Sequence, residues 1–83
     1  MRGQKEASQL REKFGTRVRS LRSASGLTQE QLAERAGISV DFLSLVERGK
    51  NSPSFENLDD LADALGVSVS SLFSFEGGSS EAE

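Results

Sequence analysis

The side chains that could do chemistry in this sequence are carboxylates and cations, because its 83 residues include no His and no Cys. Without His, the commonest general base and metal ligand is missing, and without Cys there is no disulfide and no thiolate site. The carboxylates form no obvious catalytic pair along the chain. We therefore expect a protein that binds a partner, that is not an enzyme, and that holds no metal or cofactor.

The cations and carboxylates are separated along the chain. Residues 1–25 carry seven basic and two acidic side chains, residues 26–50 carry three and four, and residues 51–83 carry none and seven. The net charge of −3 argues by itself against a nucleic-acid partner. Because the basic side chains are concentrated at one end, however, that end of a folded domain can attract phosphates while the acidic end faces away.

A first helix carries many of these basic side chains. Its apolar residues recur at steps of four, four and three, which places them on one face. Gly15 lowers its helix propensity, so the helix is predicted to begin anywhere from Ala7 to Phe14. Gly26 is expected to end it as a left-handed C-cap glycine.

Three further helices and a short final turn follow. Each is expected to open with a Ser or Thr that caps the free backbone N–H groups, and Thr28 forms a capping box with Gln31. The other expected caps are Ser39, Ser54 and Ser68. No segment shows the alternating pattern of a strand, so the sequence predicts an all-α fold.

The spacing of the second and third helices is more informative than their number. Only Gly37-Ile38-Ser39 separates them. A three-residue turn that contains glycine is typical of the helix-turn-helix, in which the first helix crosses the DNA backbone and the second enters the major groove.

Several segments in this order resemble the Cro/phage-repressor-like (XRE) helix-turn-helix family. They are residues 28–33 (Thr-Gln-Glu-Gln-Leu-Ala), 36–39 (Ala-Gly-Ile-Ser), 46–50 (Val-Glu-Arg-Gly-Lys) and 61–68 (Leu-Ala-Asp-Ala-Leu-Gly-Val-Ser). The resemblance extends over Phe14–Phe73 and implies a five-helix, lambda-repressor-like DNA-binding domain.

The predicted domain organisation follows from this match. Residues 1–13 are an N-terminal extension or the start of the first helix, and residues 14–75 form the helix-turn-helix domain. Residues 76–83 are rich in Gly, Ser and Glu, and we expect them to be a disordered tail.

The resemblance implies which residues face double-stranded DNA. Gln29 opens the second helix, where free backbone N–H groups and the helix dipole favour a phosphate. The third helix reads the bases, and its end and the following loop approach phosphates. The residues implied to bind DNA are Gln29, Ser39, Val40, Asp41, Ser44, Leu45, Arg48, Lys50 and Asn51.

The base-reading residues differ from the usual Arg, Lys, Asn and Gln. Val40 and Leu45 can make only apolar contacts, and thymine methyl groups are the expected partners. Asp41 either accepts a hydrogen bond from a cytosine amino group or stabilises the helix start through the dipole. Sequence specificity would then depend also on DNA shape.

Two charged residues are interpreted as structural. The family pairs an arginine late in the first helix with the glutamate of Glu-Arg-Gly, which here are Arg22 and Glu47. For the other basic residues of that helix, such as Arg11 and Arg19, a solvated face and a phosphate contact remain equally open.

The last apolar residues predict a homodimer interface, since the family resemblance suggests pairing through the final helix. The predicted interface residues are Val69, Leu72, Phe73 and Phe75. A two-fold pair would read a pseudo-palindromic operator. The aromatic residues Phe14, Phe42, Phe55 and Phe73 are expected to belong to the core and not to stack on bases.

The sequence thus predicts a sequence-specific transcriptional regulator that acts in the cytoplasm, without a membrane span. The alternative is a protein-interaction or antitoxin-like module on the same fold, with weak or no DNA binding. The acidic total and the apolar recognition face keep this alternative open.

Overall fold

The computed structural model describes the backbone of residues 2–75 and the side chains of residues 9–75. Four α-helices follow one another as α1 (Arg2–Ala24), α2 (Gln29–Ala36), α3 (Val40–Glu47) and α4 (Phe55–Leu65). A 3-10 turn (Val69–Phe73) follows α4. Within residues 2–75 there is no strand, which confirms the all-α prediction, and no helix combines the length and apolarity that crossing a bilayer requires. The predicted fifth helix is therefore only this 3-10 turn, and the predicted tail lies outside the described residues.

The caps confirm the sequence prediction of where α2, α3 and α4 begin. Thr28 Oγ1 accepts from the N–H of Gln31, whose side chain accepts from the N–H of Thr28. Ser54 and Asn57 form a second capping box of the same kind. Each box satisfies two backbone donors that have no partner within the helix, so the starting residues are fixed locally.

The start of α1 differs from the prediction. The helix begins at Arg2 and runs without a break for 23 residues, so residues 2–13 are its first turns. Gly15 lies inside the helix because α1 crosses α3 there at very short distance. A Cβ atom on Gly15 would lie 2.7 Å from the backbone oxygen of Glu47 and closer still to that of Val46. Only glycine permits this approach, and tertiary packing thus overrides helix propensity.

The core lies between α1, α2, α3 and α4, with the 3-10 turn at one end. Its completely buried large side chains come from every element. They are Val18, Leu32, Leu43, Val46, Leu61 and Leu72. Because the 3-10 turn contributes Leu72 to this core, the turn is part of the folded domain.

The predicted core position of Phe55 is wrong, since 84% of this residue is exposed. Phe55 is the first residue of α4, one turn before Leu58, which is itself only partly buried. The core therefore ends before reaching Phe55. Phe14 is buried as predicted, and Phe42 is partly buried and packs against the core. Phe73 is 39% exposed and packs on Phe14 with ring centroids 5.0 Å apart.

Candidate nucleic-acid interface

The turn between α2 and α3 fixes the angle at which the second helix leaves the first. Gly37 adopts the left-handed conformation (φ 73°), and its N–H donates to the backbone of the last turn of α2. Ile38 is partly buried against the core, and Ser39 Oγ accepts from the N–H of Phe42 at 3.0 Å. The helix-turn-helix predicted from the spacing is therefore present, with glycine at the position that requires a positive φ.

One face of α3 is buried and the other is accessible. Leu43, Val46 and Glu47 are buried, whereas Asp41 is exposed and lies in the first turn of the helix. Ser44 and Leu45 are partly exposed and do not belong to the group that packs against the core. Their side chains are thus available to a partner.

Val40 differs from the prediction that it lies on the exposed face. Val40 is the first residue of α3, and its side chain is partly buried and packs against the core. Leu45 is therefore the partly exposed apolar residue of α3 that does not pack against the core. Ser39 is exposed, but its hydroxyl already serves as the N-cap.

A buried network joins α1, α2 and the end of α3. Arg22 Nε donates to Glu47 Oε2 at 2.7 Å, and Arg22 Nη2 donates to Glu47 Oε1 at 3.0 Å. Gln29 Nε2 donates to the same Oε1 at 2.9 Å. The remaining Arg22 donor, Nη1, bonds the Leu27 carbonyl at 2.9 Å. Because two hydrogen bonds join the same guanidinium and carboxylate, the pair fixes the relative orientation of the two side chains as well as compensating their charges.

The network has an electrostatic consequence. The Glu47 side chain is 2% exposed and that of Arg22 14%, so each charge depends on the other for compensation. The hydrogen bond from Arg22 to Glu47 raises the pKa of Arg22 above its usual value, against an opposing effect of burial. A raised folded-state pKa contributes stability below the ordinary pKa and loses it only as the pH rises through the raised one. The contribution is therefore constant at neutral and mildly alkaline pH.

Gln29 has a structural role that the sequence prediction missed. Because its side-chain amide bonds Glu47, it is held in place at the first residue of α2. The backbone N–H groups of Gln29 and Glu30 have no acceptor within the helix, and no residue in the described part of the chain accepts from them. Gln29 and Glu47 are 18 residues apart, so the spacing of residues within α2 could not reveal their contact.

The segment after α3 presents polar groups to solvent. Arg48, Lys50 and Asn51 are all exposed. Arg48 Nε approaches the Ser44 carbonyl at 3.4 Å, which is a long hydrogen bond. Asn51 Oδ1 accepts from the N–H of Ser52 at 2.9 Å and leaves its amide donors unused. Gly49 turns the chain with φ 75° directly against α1.

This geometry agrees with the relationship to known proteins. A family model described as a helix-turn-helix domain matches residues 13–72. The chain belongs to the helix-turn-helix domain family. The match confirms the resemblance seen in the sequence, and members of this type bind DNA and regulate transcription.

The relatives of this helix-turn-helix protein include regulators of different length. The immunity repressor of Bacillus phage phi105 is 41% identical over 58 residues, which are 70% of this chain and 40% of the repressor. The uncharacterized HTH-type transcriptional regulator y4dJ of Sinorhizobium fredii is 44% identical over 59 residues, 71% of this chain and 77% of y4dJ. The chain thus spans most of one relative and less than half of the other.

Solved structures of similar fold are also regulators. The restriction-modification controller protein C.AhdI of Aeromonas hydrophila has a TM-score of 0.75 and 43% identity, over 76% of this chain and 96% of that one. The clp gene regulator ClgR of Corynebacterium glutamicum has a TM-score of 0.79 and 38% identity, over 88% and 78%. The chain therefore shares its fold with these two regulators.

The 3-10 turn of this helix-turn-helix domain carries three of the four predicted interface residues, Phe75 follows it, and the four differ in their exposure to solvent. Leu72 is completely buried in the chain's own core, so it is not available to a second subunit. Val69 and Phe73 are 37% and 39% exposed. Phe75 is partly buried and its ring centroid lies 6.2 Å from that of Phe73. Arg17 of α1 holds the turn in place, since its Nε donates to the Ser71 carbonyl at 2.8 Å.

Proposed function

We propose that this DNA-binding transcriptional regulator is sequence-specific and reads the major groove of double-stranded DNA with α3, as a homodimer. The observation that carries the proposal is the network of Arg22, Glu47 and Gln29, which ties the start of α2 to the end of α3. The family resemblance implies that the chain contacts the DNA backbone at these two points. The exposed face of α3 lies between them.

Phosphate contacts in this proposal come from both ends of the helix pair. The free N–H groups at the start of α2 present a positive dipole end to one phosphate. Arg48, Lys50 and Asn51 are exposed after α3 and offer two charges and an amide to a second backbone segment. Such contacts position the protein but carry no sequence information.

Base contacts are assigned to Asp41, Ser44 and Leu45, which are the accessible side chains of α3. Leu45 suits a thymine methyl group, and Ser44 can donate to or accept from either kind of base pair. Val40 contributes a smaller apolar contact because part of its surface is used by the core. Asp41 either reads a cytosine amino group or only stabilises the start of α3.

The proposed dimer uses Val69 and Phe73, with Phe75 beside them. Both exposed apolar residues belong to the 3-10 turn, and Leu72 anchors that turn in the core. A two-fold axis there would place two copies of α3 on half-sites about 34 Å apart, one turn of DNA. The proposed role is binding and not catalysis, and the proposed place of action is the cytoplasm.

The class of function is tested by anisotropy titration against a pool of random-sequence duplexes at several salt concentrations. Phosphate binding requires log affinity to fall with log salt, with a slope of about −0.9 per contact. Lys50→Ala is expected to weaken binding to all sequences alike, whereas Leu45→Gln is expected to change the preferred base. Absence of a salt slope and of any selected sequence would favour the protein-interaction or antitoxin-like module instead.

The dimer is tested separately by sedimentation of two variants in the same turn. Val69→Glu places a charge on an exposed apolar residue, and Ser70→Glu places the same charge on an exposed polar one. We expect only Val69→Glu to shift the protein towards a monomer. If both variants have the same association state as the unsubstituted chain, the proposed interface is contradicted.

A further inference from the structure

A groove of about 210 Å³ lies between α1, the loop after α3, α4 and the 3-10 turn. Its polar lining consists of Arg11, Asn51 and Ser52, and the rest of its lining is apolar. Among the side chains that the structure describes, no carboxylate lines it. The groove therefore brings Arg11 of α1 together with Asn51 and Ser52 of the loop.

Arg11 differs from the arginines of α1 that stabilise the fold. Arg17 donates to the Ser71 carbonyl, and Arg22 donates to Glu47 and Leu27. Arg11 Nε, in contrast, is shielded from solvent and has no hydrogen-bond partner within the part of the chain that the structure describes. Arg11 Nε is thus a donor for which the described part of the fold provides no acceptor.

The backbone places Arg11 beside the proposed phosphate-binding loop. Gly49 lies so close to α1 that a Cβ atom there would be 2.9 Å from the Cα atom of Glu12. Arg11 is the preceding residue, and it lines the groove together with Asn51 of that loop. Lys13 lines a different depression, which it shares with the carboxylate-bearing Glu12. Arg11 is therefore a cation of α1 that faces the loop without an acid in the described lining.

We propose that Arg11 binds a DNA phosphate next to Lys50 and Asn51, as part of the same backbone contact. This inference rests on the proposed DNA-binding function. The two Nη atoms of the guanidinium present paired N–H donors that fit phosphate oxygens, whereas the shielded Nε takes no part in the contact. Arg11 precedes residue 13, where the family match begins, so the contact extends the DNA-binding surface beyond the matched domain.

The test compares the salt dependence of binding of Arg11→Gln and Arg19→Gln with that of the unsubstituted chain, using the random-sequence duplex pool. Arg19 is an exposed cation of the same helix and does not line the groove. We expect Arg11→Gln to make the slope of log affinity against log salt shallower by about 0.9, the loss of one phosphate contact. Arg19→Gln is expected to leave the slope almost unchanged. Equal slopes for Arg11→Gln and the unsubstituted chain overturn the proposal.

Two further measurements distinguish a phosphate contact of Arg11 from a contact between two copies of the chain. Arg11→Lys keeps the charge but not the paired donors, so it is expected to retain the original slope with weaker binding. If Arg11→Gln changes the association state in sedimentation and leaves the slope intact, the groove is an interface between copies and the proposal is overturned. Failure of the proposed function itself is recognisable, because the unsubstituted chain would then show no salt slope and Lys50→Ala no loss.

Discussion

Replacement of Gly15 by alanine tests the account of how α1 and α3 pack. By helix propensity alone, alanine at an interior position of α1 should raise the free energy of unfolding by about 1 kcal/mol. The structure predicts the opposite sign. The new Cβ atom would meet three backbone atoms within 3.0 Å, namely the oxygens of Val46 and Glu47 and the carbonyl carbon of Glu47.

The magnitude follows from what has to move. Backbone atoms cannot rotate away as a flexible side chain can, so α1 and the end of α3 must separate, and this strains the packing of Phe14 and Val18 beside Gly15. Overpacking of this kind costs about 2–3 kcal/mol, in the upper part of the usual range. After the gain in propensity is subtracted, the net loss is about 1–2 kcal/mol. For a domain of this size, that lowers the melting temperature by about 4–16 °C.

The assay is thermal unfolding followed by circular dichroism, with Thr16→Ala as the matched control. Thr16 is the next residue of α1 and is exposed, so its replacement changes propensity without a new contact. We expect Thr16→Ala to leave the melting temperature unchanged or slightly higher. If Gly15→Ala also melts at or above the temperature of the unsubstituted chain, the close approach of α1 to α3 is refuted.

Three other substitutions test the buried network and the core. Glu47→Ala should lower the free energy of unfolding by about 3–5 kcal/mol, because Arg22 would be left without its carboxylate. The resulting decrease in melting temperature should be the same at neutral and mildly alkaline pH. An unchanged melting temperature would contradict the structural role of Glu47. Leu72→Ala should cost about 2–5 kcal/mol in urea unfolding, since the side chain is completely buried; a loss well below this would place Leu72 outside the core. Phe55→Ser should change stability by no more than about 0.5 kcal/mol, since Phe55 is 84% exposed; a large loss in the same assay would mean that Phe55 is buried after all.

The elements that the sequence predicted correctly are those whose signals are local. The Thr28–Gln31 box, the Ser39 cap and the glycine-containing turn of residues 37–39 need only three or four consecutive residues to be recognised, and each is present. The turn between the two helices of the motif was therefore predictable in detail. The pair of Arg22 and Glu47 is different, because its residues lie 25 positions apart and the family resemblance, not a local signal, predicted it.

The features that were not predictable depend on contacts between distant segments. Gly15 suggested a weak helix when considered alone, whereas its reason is a crossing with Glu47, 32 residues later. Phe55 has the right type for a core, but the core ends one turn away from it. Leu72 matched the proposed interface by position, although its burial depends on how the 3-10 turn folds back against α1. None of these contacts leaves a pattern in the adjacent residues.

The network of Arg22, Gln29 and Glu47 has a consequence for the thermodynamics of binding. Because these hydrogen bonds already fix α2 relative to α3 in the free chain, the proposed DNA-facing groups lose little conformational entropy when they are engaged. A surface organised in advance spends less of its contact energy on ordering itself, so even the few polar groups of α3 can contribute most of their energy to affinity. In the proposed mode of binding, the buried glutamate would therefore affect affinity without touching DNA.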